Sequence, residues 1–362
     1  MRVVAVEARP LRNLGEARLD LGAGMVSLVG SNGVGKTNLL EALYFALTGR
    51  SFRTSDRREL IPFGGSLARA EATVRDDVAD HRLLAAVSRS DGRRHLLDGA
   101  ATDPGTLARH RPPVAVFSPD RMALVKGPPG ERRAHLDGYV AARWPARTEL
   151  RQRYGQALAQ RNALLARIVA GRAAEGELEV WDASLAAAAA ELIAARAEAV
   201  GELADPFTTA AADLGLPGEA KLRYRPRAEG DGDAIRTGLA ERRGADLRLG
   251  RTSWGPHLDE LELATDARSL RRYGSQGQQR IGLLALLFAE REALHAAGRP
   301  LPLLLLDDVM SELDPERRER LVARLEPGGQ ALLTAAAEES LPDRARESLV
   351  RMPLQAAAPL AA

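Results

Sequence analysis

Cysteine is absent from the 362-residue sequence, so neither a disulfide framework nor a thiolate metal site can form. No apolar run reaches the 18 residues that a membrane-crossing helix needs. The opening MRVVAVEARP lacks the charged-then-apolar layout of a secretory leader, so the cytoplasm is the default location. Lysine is almost missing: Lys36, Lys126 and Lys221 are the only three of 51 basic residues, which leaves 48 arginines. Net charge is also scarce, at +2 with a pI of about 9.1, so global basicity argues little for a nucleic-acid partner. What remains is long enough for one large or two medium domains, each with a substantial core.

One of the three lysines lies in Gly30 to Thr37, GSNGVGKT, which fits G-x-x-x-x-G-K-[ST] at every fixed position. At this composition a chance match arises roughly once in 500 chains. The apolar run Met25 to Val29 precedes it as a buried strand, and Asn38 to Leu47 follows without Gly or Pro, as a helix. Strand, glycine turn and helix is the context of a phosphate site. Gly30, Gly33 and Gly35 let Ser31, Asn32 and Val34 curl their N–H groups around an anion, and the helix start at Asn38 adds its positive end. Lys36 is placed for the terminal phosphates, and Thr37 for Mg²⁺.

Along the chain, residues 2–9 alternate as a half-buried strand, and 14–21 read as extended. After Gly49 a polar loop runs to Gly65. Strands are expected at 67–76, 81–89 and 93–97, with Asp91-Gly92 as a turn signal, and again at 114–117. From about 119 the texture becomes helical, at 130–142, 146–170 and 177–213, with breaks at Pro145, Gly171 to Gly176 and Gly215 to Gly218. These segments lack sustained heptads, which excludes a long coiled-coil arm. A strand at 221–225, a helix at 234–248 and a hairpin of 257–263 with 267–271 come next. The expected division is 1–118 and 216–353 as one α/β lobe, 119–215 as an inserted helical lobe, and 354–362 as a frayed tail.

The second half of the phosphate site lies far along the chain. Pro302 to Asp308, PLLLLDD, is a strand covered on both faces and ending in two carboxylates, where α/β sheets place ligands. Asp307 is the metal-side carboxylate, and Asp308 the group to orient or deprotonate an attacking water. Ser275-Gln276-Gly277-Gln278 opens the apolar helix 281–295 and offers free N–H groups to an anion. Ser311 to Asp314 follows the carboxylate strand, with Pro315 suited to a first helical position.

In this order the motifs resemble the ABC-type ATPase heads shared by transporters and SMC-like chromosome proteins. Within that group the chain is similar to the RecF family of bacterial recombinational-repair proteins. The likeness rests on residues 30–43, GRSFRT at 49–54, 116–137, RNALL at 161–165, GPHLDE at 255–260, SQGQQR at 275–280 and 303–318. It implies a P-loop ABC-type α/β head with an inserted helical lobe, ATP and Mg²⁺ as cofactors, and an ATP-dependent homodimer. It further implies weak DNA-stimulated ATP hydrolysis, DNA binding at single-strand gaps or ss/ds junctions, RecO and RecR as partners, RecA loading and a link to the SOS response. Ser275 to Gln278 would face the nucleotide of the other copy, and Ser311 and Asp314 would belong to the D-loop.

Two departures stand out. Leu258-Asp259-Glu260 replaces the family's Arg-Asp-Asp, and no switch histidine lies near Thr334, which leaves Thr334 as a candidate γ-phosphate sensor. Candidate DNA contacts are Arg50, Arg53, Arg57 and Arg58, then the pairs Arg93-Arg94, Arg132-Arg133 and Arg271-Arg272. A transporter subunit, an SMC-like structural ATPase and a small-molecule P-loop kinase are the competing readings. The compact helical segment argues against the first two, and SQGQ together with SELD against the third.

Overall fold

The computed structural model describes residues 1–90, 92–311, 313–326 and 328–352. Asp91 of the turn signal, Glu312 and the tail 354–362 lie outside the described residues. The chain forms two compact units. One comprises Met1–Met122, Asp213–Gly215 and the chain from Gly298 onward; the other comprises Ala123–Ala212 and Leu216–Ala297.

The first unit holds two sheets. A five-stranded parallel sheet runs in the order Leu349–Arg351, Met25–Val29, Ala331–Ala335, Leu303–Leu306, Val114–Phe117. Its centre is apolar on both faces: every residue of Leu303–Leu306 and of Ala331–Ala335 is buried. The other sheet is antiparallel, in the order Ala17–Asp20, Arg2–Arg9, Leu67–Arg75, Asp80–Ser88, Gly92–Leu97, Ala100–Ala101. Here alternation decides the buried face: Ala68, Ala70, Ala72 and Val74 are buried, with partly exposed residues between them. The helix Lys36–Thr48 carries Leu39, Leu40, Leu43, Phe45 and Leu47 into one core shared with both sheets. It is buried nearly all round, which is why its sequence shows no polar stripe.

In the second unit the helices Pro129–Arg143, Leu150–Val169 and Leu178–Asp213 match the expected helical texture. The expected boundary at 215 does not hold. Strands Ala220–Arg225, Glu260–Thr265 and Arg268–Ser269 form a separate three-stranded antiparallel sheet, and they group with these helices. Strand periodicity is visible in sequence, but the sheet that a strand joins is not. The expected helix 234–248 is two helices, Gly232–Glu241 and Arg243–Leu249.

Buried ion pairs tie this unit together. Arg161 is 0% exposed and donates to Asp182 and Asp246, each at 2.7 Å, and to Thr252 at 2.8 Å. Arg196 donates to Asp137 at 2.8 Å, to Asp259 at 2.9 Å and to the Pro256 carbonyl at 2.7 Å. Tyr224 also donates to Asp259. The stretch 255–260 is therefore architectural. Gly255 has φ +134°, and a Cβ there would lie 2.9 Å from the Tyr154 hydroxyl. His257 Nε2 lies 3.1 Å from the Thr252 carbonyl, which can only accept, so Nε2–H donates there and Nδ1 accepts a hydrogen bond from the Tyr154 hydroxyl at 2.6 Å.

Candidate nucleotide site

Strand order builds the site. The strand leading to the P-loop, Met25–Val29, and the carboxylate strand Leu303–Leu306 flank Ala331–Ala335. All three run parallel, so the P-loop, Asp307 and the end of the middle strand meet at one carboxyl edge. The register pairs Leu306 with Leu333 and Thr334 with Leu28, which sets Thr334 beside the turn that starts at Asp307.

The glycine turn has the conformation that its composition demands. Gly33 (φ +83°) and Gly35 (φ +107°) are left-handed. A Cβ on Gly35 would come within 2.5 Å of Leu14 Cδ2. Lys36 folds over the loop, and its Nζ donates to the carbonyls of Gly30 at 2.6 Å and Ser31 at 3.0 Å. Burial lowers its pKa, while Asp308 and Asp307 pull it back up. No carboxylate among the described residues lies within ion-pairing distance of that ammonium, so an anion in the loop would supply its missing counter-charge.

The Thr37 hydroxyl lies 2.8 and 3.0 Å from the two Asp307 oxygens, and Thr334 Oγ1 donates to Asp307 Oδ1 at 2.9 Å. Burial raises the Asp307 pKa, and repulsion by Asp308 adds to this; the Thr37 and Thr334 hydroxyls work against it. Asp308 takes φ +48°, and its N–H donates to Thr334 Oγ1 at 2.9 Å. Thr334 is 0% exposed, and its hydroxyl ties the Asp307 carboxylate to the Asp308 backbone N–H, which spaces the tandem residues. Mg²⁺ fits this donor set, because hydroxyl and carboxylate are hard oxygen ligands. Among the described residues no group of three metal-ligating side chains would hold a cation unaided.

Sequence reading missed the supports behind the loop. Asn13 Nδ2 donates to the Gly33 carbonyl at 3.0 Å, and its Oδ1 accepts from Asn38 at 2.5 Å. Glu41, buried on the P-loop helix, pairs with Arg12 and accepts from Ser51 at 2.5 Å. An acid within Leu39-Leu40-Glu41-Ala42-Leu43 was the available signal; Asn13 offered none.

The second anion-ready helix start belongs to the other unit. Ser275 Oγ accepts from Gln278 N–H at 3.2 Å, and Gln278 Oε1 accepts from Ser275 N–H at 2.8 Å. This capping box leaves the Gln276 and Gly277 N–H groups without an intrahelical acceptor. Ser311 Oγ donates to the Asp308 carbonyl at 3.1 Å, and Asp314 caps the helix Pro315–Leu325.

The candidate DNA arginines separate by partner. Arg53 lies 3.6 Å from Glu41 and 3.7 Å from Asp120, and Arg58 lies 2.8 Å from Asp56. Arg132 is buried, 2.6 Å from Glu260, and is thereby removed from the candidates. Arg133 reaches the Asp259 carbonyl, and Arg271 the Lys126 carbonyl. Arg50, Arg57 and Arg93 have no ion pair among the described residues.

Comparison with known proteins places this geometry. The family model described as the RecF/RecN/SMC N terminal domain matches residues 2–357. The DNA replication and repair protein RecF of Anaeromyxobacter sp. (strain Fw109-5) is 39% identical over 347 residues, covering 92% of each chain. RecF of Streptomyces avermitilis is 35% identical over 362 residues, covering 94% of this chain and 95% of that one. Among solved structures, the recombination mediator protein RecF with ATP, of the RecFOR pathway, superposes with a TM-score of 0.83 at 26% identity, covering 94% of this chain and 93% of that one. An Smc head bound to the C-winged helix domain of ScpA shares the fold alone, with a TM-score of 0.59 at 17% identity, covering 97% and 94%. The chain belongs to the RecF family of ABC/SMC-type ATPases.

Proposed function

We propose that this protein is a Mg²⁺-dependent ATPase that uses nucleotide to switch between monomer and homodimer on DNA. The observation that carries the reading is the Thr37–Asp307–Thr334 hydrogen-bond set beside Lys36. It gathers a phosphate cradle, an ammonium and a metal-binding oxygen pair at one sheet edge. The chemistry that Mg²⁺ would supply is the offsetting of phosphate charge. Thr37 and Asp307 would hold the ion, and Lys36 would turn from the loop carbonyls to the terminal phosphates. Asp308 would orient the attacking water and accept its proton. Ser275 to Gln278 would close on the nucleotide of a second copy with the free N–H groups of their helix.

By family likeness, the dimer binds DNA at single-strand gaps or ss/ds junctions. RecO and RecR then join it to help load RecA in recombinational repair and replication, with a link to the SOS response. Hydrolysis is slow, DNA-stimulated and serves release. The same likeness implies a cytoplasmic protein, and among the described residues no helix is long and apolar enough to cross a membrane. The experiment is ATP turnover by the pure protein, alone and with gapped duplex. Stimulation together with ATP-dependent dimerisation is expected; turnover indifferent to DNA would refute the repair reading.

A further inference from the structure

The P-loop helix ends at Gly49, which is left-handed (φ +65°) and buried. A Cβ there would lie 2.0 Å from His95 Cε1, so the imidazole meets the helix end with its Cε1 edge. The register Ala85 with His95 and Val87 with Arg93 puts Arg93 and His95 on one face of the strand Gly92–Leu97. Arg50 follows Gly49 directly. Burial lowers the Arg57 pKa, followed by the charges of Arg93 and Arg50; burial also lowers that of Arg111, which feels Arg50 as well. The His95 pKa is lowered by burial, then by Arg93 and Arg57. Like charges thus crowd one place.

Two features mark this group, the first of them shared with other arginines of the chain, Arg94 and Arg272 among them. Among the described residues, none of Arg50, Arg57, Arg93 and Arg111 has a carboxylate within ion-pairing distance, whereas nearby Arg12, Arg53 and Arg58 each do. Arg57 Nε and His95 Nδ1 are also buried without a hydrogen-bond partner. Self-repulsion and unmet donors are disfavoured unless a ligand supplies acceptors and negative charge.

We propose that Arg50, Arg57, Arg93, Arg111 and His95 form a phosphodiester site at the C-terminal end of the P-loop helix, occupied by a nucleic-acid backbone. Fork-shaped guanidinium donors match phosphate oxygens, and four of them from separate segments exceed what one small anion can satisfy. A phosphodiester chain repeats paired anionic oxygens at short spacing, whereas peptide carboxylates sit on flexible stems. The helix Lys36–Thr48 has 13 residues, so about 20 Å separates this site from the nucleotide end of the same rigid element. The inference rests on the DNA-binding reading above and gives it a place.

The test compares Arg50→Ala/Arg93→Ala with Arg18→Ala/Arg75→Ala in the full chain. Both double variants remove two exposed arginines, but the second pair is bound to Glu7, Asp20 and Asp80. Anisotropy of a labelled gapped duplex is followed from about 50 to 200 mM salt, with ATP affinity and melting as controls for folding. The log–log salt slope should fall by about 0.9 per lost contact, and affinity at 0.1 M salt by roughly tenfold or more. The control pair should match the wild type. Independently of any variant, bound DNA should protect Arg50, Arg57, Arg93 and Arg111 from phenylglyoxal, read by mass spectrometry, and leave Arg18 and Arg75 reactive.

Equal losses in both double variants, or no protection, overturn the site while leaving DNA binding intact. A wild type that binds no DNA overturns both. Equal, arginine-dependent binding of a polyglutamate peptide would assign the face to an acidic protein and overturn the inference.

Discussion

Thr334→Val tests how the tandem carboxylates are held. Valine keeps the shape of threonine but removes the donor to Asp307 Oδ1 and the acceptor for Asp308 N–H, both at 2.9 Å. The first bond is charge-assisted, and the second loss strands a partly buried N–H. Together they amount to about 2–4 kcal/mol of stability, after allowing for relaxation. Asp307 would also lose one of the two hydroxyls that hold its pKa down against burial. Its carboxylate would then be harder to ionise and would hold Mg²⁺ less firmly. Thr334→Ser keeps the hydroxyl and gives up one methyl, about 0.8 kcal/mol. Denaturant melts and Mg²⁺ titrations of ATP turnover of both variants read the two effects. Valine should lower stability and raise the Mg²⁺ half-saturation, while serine stays near the wild type in Mg²⁺ response. Equal Mg²⁺ behaviour of the two variants would refute the spacer role.

Lys36→Met should abolish ATP binding while leaving the fold intact, which isothermal titration beside a thermal melt checks. Asp308→Asn should retain Mg²⁺–ATP yet slow hydrolysis by roughly 10²–10⁴-fold in a phosphate-release assay, with the dimer persisting. His257 makes the second unit acid-sensitive. Burial lowers its pKa from 6.5, with Arg133 adding to this, so the unfolded chain binds the extra proton first. The stabilisation from neutral His257 is full above about pH 6.5 and falls below it by up to about 1.4 kcal/mol per pH unit. His257→Gln should flatten that limb of a pH–melting curve.

The parts of the site legible in sequence are those in which backbone and chemistry coincide. The glycines that turn the loop, the four leucines of a doubly covered strand and the carboxylates at its end each carry their geometry in their composition. Contacts set by strand order stayed hidden. Thr334 is one hydroxyl in an apolar run until Ala331–Ala335 is seen between the other two strands. The lobe boundary was misplaced for the same reason, because Ala220–Arg225 pairs with Glu260–Thr265 in a sheet of its own. Arginine pairs were unreadable because neighbours in sequence part company. Arg57 is free of ion pairs among the described residues, whereas Arg58 folds back onto Asp56.

The central claim is that each nucleotide is held by the P-loop of one copy and by the Ser275 helix start of another. ATP turnover in an equimolar mixture of Lys36→Met and Ser275→Arg tests it most directly. Each variant alone should be inactive, the first for want of nucleotide and the second because bulk and charge enter its neighbour's site. The mixture restores one composite site per mixed dimer, the intact P-loop of the serine variant facing the intact Ser275 of the lysine variant, so partial activity should return. Full dimerisation and hydrolysis by Ser275→Arg alone would contradict the shared site.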